Sequence, residues 1–377
     1  MKSLRFGLLF LVFSVAFVAG CTSADTPTLE TIIPITETSP EDQAPPIATI
    51  ESEPQIEPTS PEVEEGPTPI SVEATRWGDL SFDEFIEESY REIMLRNPEL
   101  LVEMGLSDDF GVEEVLLTDI SDDYIQETYD LYAEIEDALQ SYDRAALTPE
   151  QQLDYDIYSY YLDDNIRGRE FLYADYPIVH FLVGKQYELL YFFTDLHPVT
   201  DVQEAETYIT RLSQVDTKVG QLIEGLILRE QAGVIAPRFI LDWSLPEIQG
   251  HATRPATVSP YYRSLSEKLS ELDISSDERS ALLDAAATAI DESVAPAYKE
   301  LADYIEELAR RAPNQVGIWQ HPNGPAYYEY LVRHYTTTDL TPDEIHQLGM
   351  ENLEQIHAEM REIFDQLGYP ADESLPE

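Results

Sequence analysis

Cysteine and lysine are nearly missing from this chain. Cys21 is the single cysteine in 377 residues, so no disulfide can form within the chain and no catalytic thiol remains in its body. Lysine occurs only as Lys2, Lys185, Lys218, Lys268 and Lys299. With 22 Lys and Arg against 74 Asp and Glu, the formal charge is -52. Such a surface repels phosphate backbones, which excludes nucleic acid as a partner. The acidity suits either a solvated acidic face or salty, cation-rich surroundings. Other absences narrow the chemistry. No His-Glu-x-x-His helix, Gly-x-Ser-x-Gly elbow, Gly-rich phosphate loop or EF-hand spacing occurs. Sustained strand-type alternation is almost absent.

What is present begins with an export signal. Lys2 and Arg5 form a short positive region, and residues 6–18 an apolar run too short for a comfortable membrane span. The run ends in Val18-Ala19-Gly20-Cys21, the pattern of a lipoprotein signal. Residues 1–20 are therefore expected to be cleaved and Cys21 to carry a diacylglyceryl lipid. That places the protein in the cell envelope, anchored on the extracytoplasmic side of a bacterial membrane. Residues 21–76 follow as a tether: positions 22–75 hold ten prolines, 12 acidic residues, no aromatic residue and no Lys or Arg. Such a stretch buries too little apolar surface to offset chain entropy. As a flexible coil it would span about 40 Å, and fully extended roughly 170 Å.

Composition changes at Trp77, and residues 77–377 are read as one helical domain. Six starts place a Ser or Thr before an acidic or amide residue: Ser81, Ser121, Thr148, Thr200, Ser275 and Thr341. Pro149 and Pro342 fall at first helical positions, where a missing N–H does no harm. The stretches 176–183 and 234–241 are compatible with extended backbone. Pro296 predicts a kink or break in the long helix that begins near 276. From Pro342 to about Gln366, Ile345, Leu348, Leu353, Ile356, Met360, Ile363, Phe364 and Leu367 share one face at helical spacing.

The histidines do not suggest a metal site. His346 and His357 are separated by about 16 Å along one helix, too far to share an ion. Glu354 and His357 form one Glu-x-x-His pair, whereas a di-iron bundle needs two. Carboxylate pairs such as Asp122-Asp123 and Asp163-Asp164 are read as solvated faces, because acidic neighbours are everywhere in this chain. Tyrosines crowd three segments, at 155–161, 187–191 and 327–335. They fit either core packing or a groove for peptide or sugar.

Residues 319–360, WQHPNGPAYYEYLVRHYTTTDLTPDEIHQLGMENLEQIHAEM, resemble a signature stretch of the bacterial domain of unknown function 885. Further stretches at 82–106, 208–242 and 294–308 fit the same family, so the likeness covers roughly 81–367. The family looks like a branch of the zincin peptidases. The resemblance implies a mainly α, multi-helix lobe with few or no strands, like the helical part of angiotensin-converting-enzyme-like and thimet-type zinc peptidases. It implies zinc as cofactor, held by a His-Glu-x-x-Pro-Gly-His-His helix that lies further along than Glu377. No cofactor is then expected on these residues, which are read as the N-terminal portion of a longer frame or as a natural truncation. Where the metal part is present, zinc would activate water for hydrolysis of short peptides. Tyr328, Arg333, His334, Thr337 and His346 are the candidate wall of the substrate cleft, with Arg333 suited to a peptide carboxylate. The competing expectation is a non-catalytic helical lipoprotein that binds a peptide or other ligand, or acts as a scaffold.

Overall fold

The computed structural model describes residues 76–112, 116–180 and 184–370. The expected signal segment, Cys21 and all of the expected tether but Arg76 lie outside the described residues. Among the described residues the secondary structure is helical, with no strand. The order is α1 (Phe82–Leu95), α2 (Pro98–Glu103), α3 (Asp122–Leu139), α4 (Pro149–Gly168), α5 (Lys185–Tyr191), α6 (Val202–Leu212) and α7 (Val215–Gln231). It continues with α8 (Arg238–Thr253), α9 (Pro260–Ser270), α10 (Ser276–Ala289), α11 (Ala295–Arg311), α12 (Gly324–Thr336) and α13 (Pro342–Leu367). No helix among the described residues is long and apolar enough to cross a membrane.

Local chemistry sets most of the starts. Ser81, Thr148 and Thr341 each accept a hydrogen bond from the backbone N–H three residues on. In each case the Glu or Gln there reaches back to the cap, so two otherwise orphaned donors are satisfied. Ser121 and Ser275 cap α3 and α10 one-sidedly. The expected Thr200 cap is displaced by one residue. Asp201 caps α6 by accepting from the Glu204 N–H, and the Thr200 N–H instead donates to the Glu204 carboxylate. Asp outranks Thr at this position.

At Pro296 the α-helical run is interrupted, but the chain stays helical. Residues Ile290–Val294 form one π turn that joins α10 directly to α11. The Ala295 N–H donates to the Ile290 carbonyl across this turn, just before the proline, which has no N–H to donate. A second π turn, Phe192–Leu196, closes α5. The stretch 234–241 divides: irregular backbone leads to Pro237, and α8 begins at Arg238. Residues 176–180 are irregular and not strand.

Two apolar cores result. The smaller joins α1, α3 and α4 through Phe85, Ile135, Leu139, Tyr158 and Leu162, with the Ser89 and Tyr158 hydroxyls hydrogen-bonded at 3.0 Å inside it. The larger fills the space between α5 and α11, with Tyr208, Tyr261, Tyr298, Leu301 and Ile305 fully buried. Here α11 packs along α8 and α7. Most of the crowded tyrosines at 155–161 therefore serve the core.

Helix α13 stands apart. It is 26 residues long and buries none of them. Its apolar side leaves Leu353 44 %, Ile356 52 % and Ile363 52 % exposed. An amphipathic helix is normally stabilised by covering that face; here nothing among the described residues does so.

Candidate functional site

The side chains that come together lie where α12 crosses the end of α4. Asp164, one turn before the end of α4, is only 5 % exposed. One of its carboxylate oxygens accepts from Arg333 Nη1 at 2.7 Å, and the other from His334 Nδ1 at 2.6 Å. Arg333 Nη2 donates to Asp163 Oδ2 at 3.0 Å. The same guanidinium lies 4.6 Å above the ring of Tyr160, whose hydroxyl donates to the Arg333 carbonyl. Tyr330 stacks on Phe171 and donates its hydroxyl to the Asp164 carbonyl. Charge-assisted, bidentate contacts of this kind are short and directional.

Two glycines permit the crossing. A Cβ on Gly168 would lie 2.6 Å from the Tyr330 hydroxyl oxygen. A Cβ on Gly324 would lie 2.0 Å from the carbonyl oxygen of Ile318, inside the turn that launches α12. At the other end of α12, Thr337 takes left-handed backbone at φ 53° and returns its N–H to the Arg333 carbonyl at 2.8 Å.

This geometry revises the expected cleft wall. Arg333 and His334 do come together, but on an internal carboxylate. Both terminal nitrogens of Arg333 are engaged by Asp163 and Asp164, so its guanidinium is a clamp and not a free receptor for a peptide carboxylate. Asp164 is not part of a solvated face. His334 keeps a ring that is 43 % exposed. Tyr328 is on α12 at 48 % exposure, outside the cluster. Thr337 terminates the helix, and His346 is exposed on α13, away from the others. Cys21 lies outside the described residues. The cluster's centre, Asp164, carries no distinguishing signal in a chain with so many carboxylates.

The remaining histidines are dispersed. His197 Nε2 accepts from Arg211 Nη1 at 2.7 Å, and its Nδ1 donates to the Pro198 carbonyl at 2.7 Å. Burial, with the Arg211 charge beside it, pushes its imidazole down to about 4. His251 packs against Tyr261 and Tyr298 with its Nδ1 unpartnered. Burial and then the Arg254 charge push it down to about 4 as well. His321 Nε2 meets the Tyr176 hydroxyl. No three His, Cys, Asp or Glu side chains among the described residues gather so as to hold an ion. The residues in place therefore do not fit the zinc site that the resemblance implies.

Comparison with known proteins gives two findings. The model of a family described as bacterial protein of unknown function (DUF885) matches residues 98–377. The fold is similar to the crystal structure of a "putative lipoprotein" from Colwellia psychrerythraea, with a TM-score of 0.70 at 18 % identity. The matched region covers 78 % of this chain and 53 % of that one, so this chain spans about half the length of that structure. No curated protein matches the chain.

Proposed function

Since the chain belongs to the bacterial family of unknown function DUF885, we propose that it is the N-terminal part of a membrane-anchored, extracytoplasmic zinc-dependent peptidase for short peptides. Its metal-binding residues would be supplied by polypeptide beyond those in hand. The observation that carries this reading is the uncovered side of α13. Leu353, Ile356, Met360, Ile363 and Leu367 recur at alternating steps of three and four, the repeat of a seam that another helix fills. Contiguous exposed apolar surface marks an interaction face. The family resemblance supplies the peptidase chemistry, and the described residues supply none of it. Within this reading the Asp164–Arg333–His334 cluster is a brace. It fixes α12, and the strand-free turn after it, against α4.

Anchoring is the second part of the proposal. Cys21, after residues 1–20, would carry the lipid, and residues 21–76 would hold the helical domain of 77–377 away from the bilayer. The similarity to the Colwellia structure, itself described as a "putative lipoprotein", supports it. A second reading, a non-catalytic peptide- or ligand-binding lipoprotein, is favoured by the exposed rings of Trp319, Tyr328 and Tyr335 near α12.

Mass spectrometry of the intact protein extracted from membranes tests the proposal. An extended, diacylated polypeptide that contains zinc supports it. A lipidated chain ending at Glu377, without zinc or chelator-sensitive cleavage, leaves only the binding reading. Persistent fatty-acid labelling of Cys21→Ser would overturn the anchor.

A further inference from the structure

Cations are scarce in this molecule, and among the described residues their side chains are nearly all engaged. Among the described residues, every lysine and arginine side chain has a hydrogen-bond, ion-pair or ring partner except those of Arg254, Arg263 and Arg361. Two of those three line the same open cleft of about 670 Å³. Arg254 closes α8, and Arg263 stands in the second turn of α9.

Their isolation is not for want of carboxylates. Glu267 is one helical turn beyond Arg263 on α9 and lines the same cleft, as does Asp195. Arg238–Asp242 and Lys299–Asp303 have the same order and spacing, and both close into ion pairs. Arg263 and Glu267 do not. The cleft therefore holds two guanidiniums and two carboxylates around one opening, none of them meeting another. Its walls are fixed: Ser264 Oγ donates to the Thr194 carbonyl at 3.2 Å, and Lys268 Nζ to the Phe193 and His197 carbonyls at 2.9 and 2.8 Å. These bonds hold the π turn after α5 against α9.

We propose that this cleft binds a short peptide with free termini, Arg254 and Arg263 taking its carboxylate and Asp195 and Glu267 its ammonium. Guanidinium groups match carboxylate geometry through paired N–H donors. The two acids disfavour a multiply charged anion such as phosphate and complement a zwitterion. Val258, 40 % exposed at the rim, and Pro260 offer apolar surface to a side chain. The volume lies within the usual range of small-ligand sites. The assignment stands apart from the peptidase reading, because it requires neither metal nor hydrolysis.

Calorimetric titration of the full chain with trialanine tests it, beside its C-terminal amide, its N-acetyl form and inorganic phosphate. Saturable binding of free trialanine is expected, at least tenfold weaker for the amide and severalfold weaker for the N-acetyl form. R254Q and R263Q should each weaken trialanine binding by about tenfold while leaving the circular dichroism melt unchanged. E267Q should reproduce the N-acetyl loss. Equal affinity for the free acid and the amide, unaltered binding by R254Q and R263Q, tighter binding of phosphate, or no saturation would each overturn the proposal.

Discussion

Asp164 receives Arg333 and His334 on opposite oxygens of one carboxylate, 2.7 and 2.6 Å away. With Asp164 nearly buried, the crossing of α4 and α12 depends on a charge that water does not screen well. Removing one partner from a buried pair leaves the other uncompensated. Asp164→Asn is therefore expected to lower unfolding free energy by about 3 kcal/mol. Asp163, 40 % exposed, should cost under ~1 kcal/mol when changed to Asn. Urea melts of both variants check this. Equal losses would mean that Asp164 is not the centre of the clamp.

Gly168 and Tyr330 are coupled by space. Gly168→Ala would gain up to ~1 kcal/mol of helix propensity in an open position. Against the Tyr330 hydroxyl it should instead destabilise by about 1–3 kcal/mol, as overpacked sites do. Adding Tyr330→Phe removes the oxygen that the new methyl would strike. A double-mutant cycle should show recovery of most of the loss. Strict additivity would contradict the close approach.

The two buried imidazoles make stability depend on pH. His197 and His251 sit near 4 in the folded chain, against about 6.5 unfolded. Between those values the unfolded chain binds more protons, so this contribution is full above about pH 6.5 and is lost as pH falls toward 4. Each imidazole contributes up to ~3 kcal/mol across that window. Protonation of the many carboxylates acts the other way by relieving repulsion, so the contrast between variants is what counts. His251→Phe also removes an unpartnered buried nitrogen. It should flatten the rise of stability between pH 4.5 and 6.5 relative to the parent chain. An unchanged slope would contradict the assignment of His251.

Leu301 on α11 and Ile356 on α13 should differ sharply in their response to substitution. Leu301, on the inner side of α11, is fully buried, and Leu301→Ala should cost about 2–5 kcal/mol. Ile356→Gln on the open side of α13 should change stability by less than about 0.5 kcal/mol. Thermal melts compare them directly. A large loss at Ile356 would show that α13 is covered in solution.

Helix starts were legible because capping is local: Ser81, Thr148 and Thr341 announce themselves within four residues. Thr200 misleads because the stronger Asp201 stands beside it. Pro296 predicts a disruption, but whether the chain kinks or widens into a π turn depends on packing against α7 and α8. The apolar periodicity of α13 marks a helix and a face, yet it cannot say that the face is open. At the site, Arg333 and His334 are visible as chemistry-bearing neighbours. Their partner is not, since Asp164 lies 169 residues from Arg333 and resembles every other carboxylate until the fold buries it.

Zinc stoichiometry measured together with peptide hydrolysis tests the central claim most directly. The 377-residue chain and the polypeptide isolated from membranes are compared with and without chelator. The account predicts no stoichiometric zinc and no cleavage for the 377-residue chain. It predicts about one zinc per molecule and chelator-sensitive cleavage for a longer native polypeptide. One tightly held zinc with peptide hydrolysis in the 377-residue chain, or neither in both, would contradict it.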